Sequence, residues 1–166
     1  MASQSNSTSR SSNKPEIQRS PTLEEIKLLY KRKTKAKSRV QMKSSDCVYD
    51  YAKSIWEESA IDLMESAYCL FLDRRNAVIG WLRVASGGLD GTLVDQRLIF
   101  ATALKCAARY IILMHNHPSG NLKASSSDIS LTRKIKESGE LLDIPLIDHL
   151  IITSEDYYSF ANEGYL

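Results

Sequence analysis

The chain has 166 residues, 43% of them hydrophobic, so it can bury one substantial core and hardly two. No stretch approaches the roughly 18 apolar residues that span a bilayer, and the polar N-terminus lacks the apolar core of a secretion signal. Three scattered cysteines, Cys47, Cys69 and Cys106, argue against a disulfide framework. These features argue against a membrane protein or a disulfide-rich secreted protein and favour a cytoplasmic location.

The formal net charge is +2, but the charges are unevenly distributed on the two sides of residue 45. Residues 1–45 carry 11 Lys and Arg against 3 Asp and Glu, whereas the remainder carries 11 against 17. Residues 1–21 are rich in Ser, Asn, Gln and Arg, which predicts a disordered tail. Residues 22–45 form a basic arm, in which weak alternation through Ile26, Leu28 and Tyr30 favours an edge strand.

The basic arm also contains a run of cations without intervening acids: Lys31, Arg32, Lys33, Lys35, Lys37, Arg39 and Lys43. Such a run is suited to contacts with nucleic-acid phosphates. Few aromatic residues are interleaved with it, however, as they are in many single-strand binders. A solubilising tail, or an arm lying on the acidic domain, is therefore the preferred interpretation, with nucleic-acid binding as the alternative.

From residue 46 onwards, the pattern predicts alternating helices and strands. A helix capped at residues 44–46 runs to Trp56, and strands at 68–72 and 77–84 form a hairpin. A second helix begins at Asp95 or Gln96. The residues of this helix that we expect to face the core are Leu98, Ile99, Ala103, Leu104 and Ala107.

The second half of the chain continues the alternation. The apolar run 110–114 predicts a buried strand, residues 130–141 a helix, residues 145–153 a strand, and residues 157–166 a C-terminal tail or strand. Strands that alternate with helices predict an α/β fold in three layers, with a mixed β-sheet flanked by helices.

The most informative segment is His-Asn-His-Pro-Ser-Gly at residues 115–120, followed by Ser125 and Asp128. Side chains repeat their direction every two residues along a strand, so His115 and His117 point to one face. The proline, serine and glycine that follow reverse the chain, and a helix starting nearby brings Asp128 back to the imidazoles. Two imidazoles and one carboxylate leave zinc a fourth position for water, which predicts a catalytic metal site.

Each part of the motif also has a simpler structural interpretation. Ser125 and Asp128 alone are well explained as a helix capping box, and either histidine alone is most simply an ordinary surface or core residue. The capping role and a role at a metal are compatible. Two of the three histidines nevertheless fall here, beside a glycine turn, and the combination is less expected by chance than any of its parts.

The motif resembles that of the JAMM (MPN-plus) metallopeptidases, and its continuation is similar to the RadC-like branch of that family. The resemblance covers about residues 45 to 166, and we take residues 46–166 as the domain. Outside the motif it includes residues 70–73, 86–92, 94–104, 128–133, 141–144, 148–149 and 158–160. The layout of the JAMM fold is similar to that of the cytidine deaminases. Those enzymes, however, need H-x-E with P-C-x-x-C, and the scattered cysteines do not supply that pattern.

The resemblance implies a further functional residue, a glutamate on or just before the first core strand that activates the metal-bound water. Glu65 falls at that place. Without the family, the acids of this region are most simply a solvated face. Glu57 and Glu58 are the alternatives if the register differs.

The function that the resemblance implies is a zinc-dependent hydrolase, acting as a peptidase or isopeptidase. Glu65 acts as general base towards a metal-activated water, and the Ser125 hydroxyl donates to the oxyanion. The alternative is a DNA-associated or protein-binding module of the same fold without peptidase turnover. Asp148 and His149 are candidates for hydrogen bonding to the metal histidines, although a polar pair at a strand end is an equally good interpretation. The sequence names no substrate and no oligomeric state.

Overall fold

Helices and strands alternate along the chain as predicted. In chain order they are α1 Ser45–Ile55, β1 Ser66–Leu72, β2 Val78–Ser86, α2 Gln96–Cys106, β3 Tyr110–Asn116, α3 Ser126–Leu141, β4 Leu146–Ile152 and β5 Tyr157–Ser159. The computed structural model describes residues 34–57, 60–86 and 94–166. The tail predicted at 1–21 and the edge strand predicted from Ile26 to Tyr30 lie outside the described residues.

The five strands form one mixed sheet in the order β2-β1-β3-β4-β5. β1 is antiparallel to both of its neighbours, β3 and β4 are parallel, and β5 returns antiparallel to β4. Parallel neighbours need a crossover connection, which α3 supplies. The start of α3 therefore lies close to the end of β3, where the histidine motif is.

Helices cover both faces of the sheet, which gives the predicted three-layer α/β fold. On one face, Val48 and Ala52 of α1 join the even-numbered residues of β1 and β3 in a core. On the other face, Ile99, Ala103 and Ile135 of α2 and α3 pack against the odd-numbered residues of the same strands. β1 is buried along its whole length because both faces of the sheet are covered. Among the described residues, no helix is both long and apolar enough to cross a membrane.

The orientation of α2 corrects the prediction at three positions. Ile99 and Ala103 are buried as expected, but Leu98, Leu104 and Ala107 are exposed. A helix turns by about 100° per residue, so positions 98 and 104 lie well off the line that joins 99 and 103. Ala107 is the C-cap residue, with a left-handed φ of 53°, and lies beyond the helix. Residue type alone had favoured the leucines.

Several element boundaries also differ from the prediction. α3 begins at Ser126 rather than at 130, because Ser125 caps it. β3 continues to Asn116 and so includes the first motif histidine. Within residues 157–166, only Tyr157–Ser159 forms a strand, and turns follow it.

The end of the basic arm lies against the β1–β2 hairpin. Val40 accepts a hydrogen bond from the N–H of Val78 at 2.9 Å, and Met42 is buried in the core beside α1. The side chain of Arg39 is also buried, and it forms an ion pair with Asp73 at 3.5 Å. Arg39 is therefore unavailable to a nucleic acid.

Gly139 of α3 lies against the backbone that leads into β4. A Cβ atom built there would lie 2.6 Å from the carbonyl oxygen of Ile144. Alanine favours a helix by roughly 1 kcal/mol over glycine, but this clash is with backbone. We therefore expect Gly139→Ala to lower the free energy of unfolding in urea by roughly 1–3 kcal/mol. Gly80→Ala is the matched control, since nothing lies within 4 Å of its added Cβ, and equal losses in the two variants would contradict the steric argument.

Candidate metal centre

Three side chains with metal-ligating atoms converge where β3 ends and α3 begins. The ligand atoms of His115, His117 and Asp128 all lie within 4.8 Å of one another. The two Nε2 atoms are 3.1 Å apart, and the carboxylate oxygens lie 3.3 Å from His115 Nε2 and 3.7 Å from His117 Nε2. Tetrahedral ligands at about 2.0–2.2 Å from zinc lie about 3.3–3.6 Å from one another. The spacing and the donor set therefore fit one zinc ion.

The backbone of β3 explains why both imidazoles reach this point. Ile111 and Leu113 face the core beneath α2 and α3, and the alternation along the strand puts His115 and His117 on the same side. The backbone N–H of His117 donates to Ile152 in β4 at 3.0 Å, which extends the pairing beyond the end of the strand. The two histidines thus share a face, as predicted.

The turn after the histidines depends on Gly120. Its φ of 74° lies in the left-handed region that favours glycine, and its N–H donates to the carbonyl of His117 at 3.0 Å. The turn brings the carbonyl of Asn121 to within 2.6 Å of His117 Nδ1. A carbonyl only accepts, so Nδ1 carries the hydrogen and Nε2 of the neutral ring keeps its lone pair.

A capping box holds Asp128, as predicted. Ser125 Oγ accepts the N–H of Asp128 at 3.2 Å, and the Asp128 carboxylate accepts the N–H of Ser125 at 2.8 Å. Burial alone would raise the pKa of Asp128, but its contact with the His115 ring and its hydrogen bonds from Ser125 outweigh it and lower the pKa well below its usual value. Asp128 is therefore a carboxylate at neutral pH.

The Ser125 hydroxyl is already engaged within this box. Its single hydrogen is donated to Asp128 Oδ2 at 2.6 Å, and Ser127 Oγ lies 2.8 Å away. To donate to a substrate oxyanion, the O–H bond would have to rotate away from Asp128. The oxyanion role of Ser125 stays a prediction.

A chain of hydrogen bonds sets the tautomer of His115. The Thr132 hydroxyl donates to the backbone carbonyl of Asp128 at 2.7 Å, so its oxygen accepts from His149 Nδ1, also at 2.7 Å. His149 Nε2 must then accept, and it lies 2.8 Å from His115 Nδ1. His115 Nδ1 therefore carries a hydrogen, and its Nε2 lone pair faces the candidate metal position. Sequence reasoning did not find Thr132, whose spacing within α3 gave no signal of this role.

The environment of His149 favours the neutral ring that the hydrogen-bond chain from Thr132 to His115 requires. Its ring is fully buried and stacks on Phe160 at 4.6 Å and 8° between planes. Burial, and then the repulsion that a protonated His115 ring would exert, lower the pKa of His149 well below its usual range. The ring therefore stays neutral at physiological pH.

The other member of the suggested pair, Asp148, does not contact the metal histidines, so that suggestion was wrong. Its carboxylate accepts hydrogen bonds from Ser45 at 2.8 Å and from Ser159 at 2.9 Å, on the α1 side of the sheet. Neighbouring residues of a strand point to opposite faces. Only one of Asp148 and His149 could therefore face the site.

Glu65 lies beside the metal ligands. It immediately precedes β1, and Ala67, two residues later, pairs with His115. Continuing that antiparallel register by two residues sets Glu65 opposite His117. Both residues line the same cleft, whereas Glu57 does not line it, and Glu58 lies outside the described residues.

The cleft has a volume of about 1010 Å³. Glu65 and the three candidate ligands line it together with Ser125. Its other charged residues are Asp95, Arg97, Lys123 and Lys134. The cleft is therefore large enough to admit several residues of an extended chain beside the candidate metal position.

A mixed sheet between two layers of helices, with two histidines and an aspartate together at the β3–α3 junction, is the arrangement expected of a JAB-type domain. The family model described as RadC-like JAB domain matches residues 42–165. The chain belongs to this family, which confirms the resemblance seen in the sequence.

Curated relatives agree with this assignment. A UPF0758 protein of Flavobacterium johnsoniae is 49% identical over 100 residues, which are 60% of this chain and 44% of the relative. A UPF0758 protein of Listeria monocytogenes is 38% identical over 119 residues, or 72% of this chain and 53% of the relative. One of Bacillus velezensis is 38% identical over 117 residues, or 70% and 51%. The chain thus spans about half the length of these relatives, and their names state no activity.

The hydrogen-bond chain behind His115 predicts the effect of changing Thr132. Thr132→Val keeps the shape but removes the acceptor for His149, whereas Thr132→Ser keeps the hydroxyl. Losing such a supporting contact typically weakens metal affinity by about 10–100-fold. We expect weaker zinc binding in the valine variant and near-normal binding in the serine variant, measured by competition with a chromophoric chelator. Equal affinities in the two variants would contradict the proposed tautomer chain.

Proposed function

We propose that this protein is a zinc-dependent hydrolase that cleaves a peptide or isopeptide bond. The observation that carries the proposal is the convergence of two imidazole lone pairs and one carboxylate at 3.1–3.7 Å, in a cleft that also contains Glu65. His115, His117 and Asp128 would hold the metal. Three protein ligands are typical of a catalytic zinc site, because one position stays open.

The chemistry divides between the metal and the side chains. Zinc, when bound, is a Lewis acid that lowers the pKa of a coordinated water from about 15.7 to about 7. Glu65 accepts the proton of the attacking water and delivers it to the leaving amine, which an amide needs because its nitrogen is a poor leaving group. Ser125, after rotation of its hydroxyl, donates to the oxygen that becomes negative.

Glu65 provides the test of this proposal. Glu65→Gln keeps the size of the side chain but removes its basicity, so we expect zinc to be retained and turnover to fall by roughly 10²–10⁴-fold. Turnover is measured on quenched fluorescent libraries of linear peptides and of peptides branched through a lysine side chain. Glu57→Gln is the matched control, since this exposed acid does not line the cleft.

Two results would count against the proposal. One is a rate of cleavage that is the same in Glu65→Gln as in the wild type, which would show that Glu65 is not the general base. The other is the absence of cleavage of either library by zinc-loaded protein, which would favour the alternative of a binding module without turnover.

Nucleic-acid binding is the second candidate, and the exposure of Lys35, Lys37 and Lys43 favours it. With Arg39 buried against Asp73, six cations remain of the run without acids, Lys31 to Lys43. Six phosphate contacts predict that the logarithm of the binding constant falls with the logarithm of salt concentration with a slope of about −5. A fluorescence titration with a labelled duplex measures this slope, and no binding at low salt would remove this candidate.

A further inference from the structure

Asn116 lies between the two metal histidines in the sequence but points to the opposite side of the sheet. It is fully buried, and its side-chain hydrogen bonds all go to one segment of the chain. Its Oδ1 accepts the N–H of Ser66 at 2.7 Å, and its Nδ2 donates to the carbonyls of Ile61 at 2.6 Å and Met64 at 2.9 Å. These bonds join β3 to residues 61–66.

That segment carries Glu65. The Met64 carbonyl immediately precedes Glu65 and the Ser66 N–H immediately follows it, so Asn116 holds the backbone on both sides. Residues 61–64 form turns rather than a strand. Leu63 and Met64 are exposed, with 62% and 39% of their surface accessible. Ile61 is buried in the core on the α1 side of the sheet, but apolar burial contributes little to fixing the chain between Ile61 and Glu65.

We propose that Asn116 is a positioning residue for Glu65. It sets the place of the general base relative to the two candidate metal histidines, which flank Asn116 in the sequence. This inference rests on the proposed function for the role of Glu65 in turnover, but the backbone anchoring itself does not.

The chemistry of the contact favours asparagine. The three bonds require one acceptor and two donors on a short side chain, and an amide supplies both. Aspartate keeps the acceptor but has no donor when ionised, and it would set a negative charge against two carbonyl oxygens. Serine has one hydroxyl hydrogen and cannot serve both carbonyls.

A double-mutant cycle with Glu65 separates positioning from general structural support. A misplacement of about 1 Å can lower the rate by about 100-fold, so we expect Asn116→Ala to lower kcat by about that factor, with zinc content and KM near wild type. If Asn116 acts through Glu65, adding Asn116→Ala to Glu65→Gln should lower kcat by less than about threefold further. If Asn116→Ala lowered kcat by the same factor in the wild type and in Glu65→Gln, the proposal would be overturned.

Hydrogen exchange tests the anchoring in metal-free protein, independently of turnover. In Asn116→Ala, we expect the Ser66 amide to exchange about tenfold faster, the factor for losing one hydrogen bond, while Leu70 and Leu113 in the core strands are unchanged. Asn116→Asp, which keeps the acceptor for Ser66, should retain more of this protection. Ser159→Ala is the matched control, because it removes a buried hydroxyl that bonds Asp148 on β4.

The outcomes distinguish the two proposals. Unchanged Ser66 exchange in Asn116→Ala would overturn the positioning role. Faster Ser66 exchange together with turnover that does not depend on Glu65 would overturn the proposed function and leave the anchoring intact. If the alanine variant fails to fold, Asn116→Ser is used for the same exchange and kinetic measurements, with the same expected directions.

Discussion

The arrangement of the site follows from two imidazole rings whose Nε2 atoms face each other at 3.1 Å. Each ring donates its Nδ1 hydrogen elsewhere, His117 to the Asn121 carbonyl and His115 to His149. Both Nε2 lone pairs can therefore be directed at one point between the rings. The adjacent carboxylate of Asp128 adds a third electron-pair donor. This arrangement favours the binding of a cation.

The fold holds these donors together. β3 is covered on both faces and paired on both sides, which fixes His115, and the hydrogen bond from the N–H of His117 to Ile152 holds the residue just beyond the strand. The crossover from β3 to β4 begins with the capped end of α3, which fixes Asp128 against the rings. Asn116 lies on the same strand and bonds to the segment that carries Glu65. β3 thus connects the histidine motif, through Asn116, to the segment that contains Glu65.

The layers, the convergence of the three candidate ligands and the capping box could be predicted from the sequence because each follows from local spacing. Which of Asp148 and His149 faces the histidines could not be predicted in this way. It depends on a register shift, in which Ile111 pairs with Leu146 but Ile112 pairs with Asp148. One β4 residue is skipped, and His149 then turns to the metal side. Such a shift is a property of the packed sheet, and no spacing within β4 reveals it.

Spacing alone could not predict the position of Glu65 beside the histidines either. It is 50 residues before the first motif histidine, and only the antiparallel pairing of β1 with β3 brings it to the site. The family resemblance was the signal that identified it. The partial exposure of α2 was mispredicted for a simpler reason, since Leu98 and Leu104 were assigned to the core by residue type rather than by helical phase.

The most direct test is the metal content of protein purified without chelators, measured by elemental analysis for wild type and for His117→Ala. The account predicts about one zinc per chain in the wild type and little in the variant, with both proteins folded by circular dichroism. Wild-type protein that contains no zinc and takes up none on addition would contradict it.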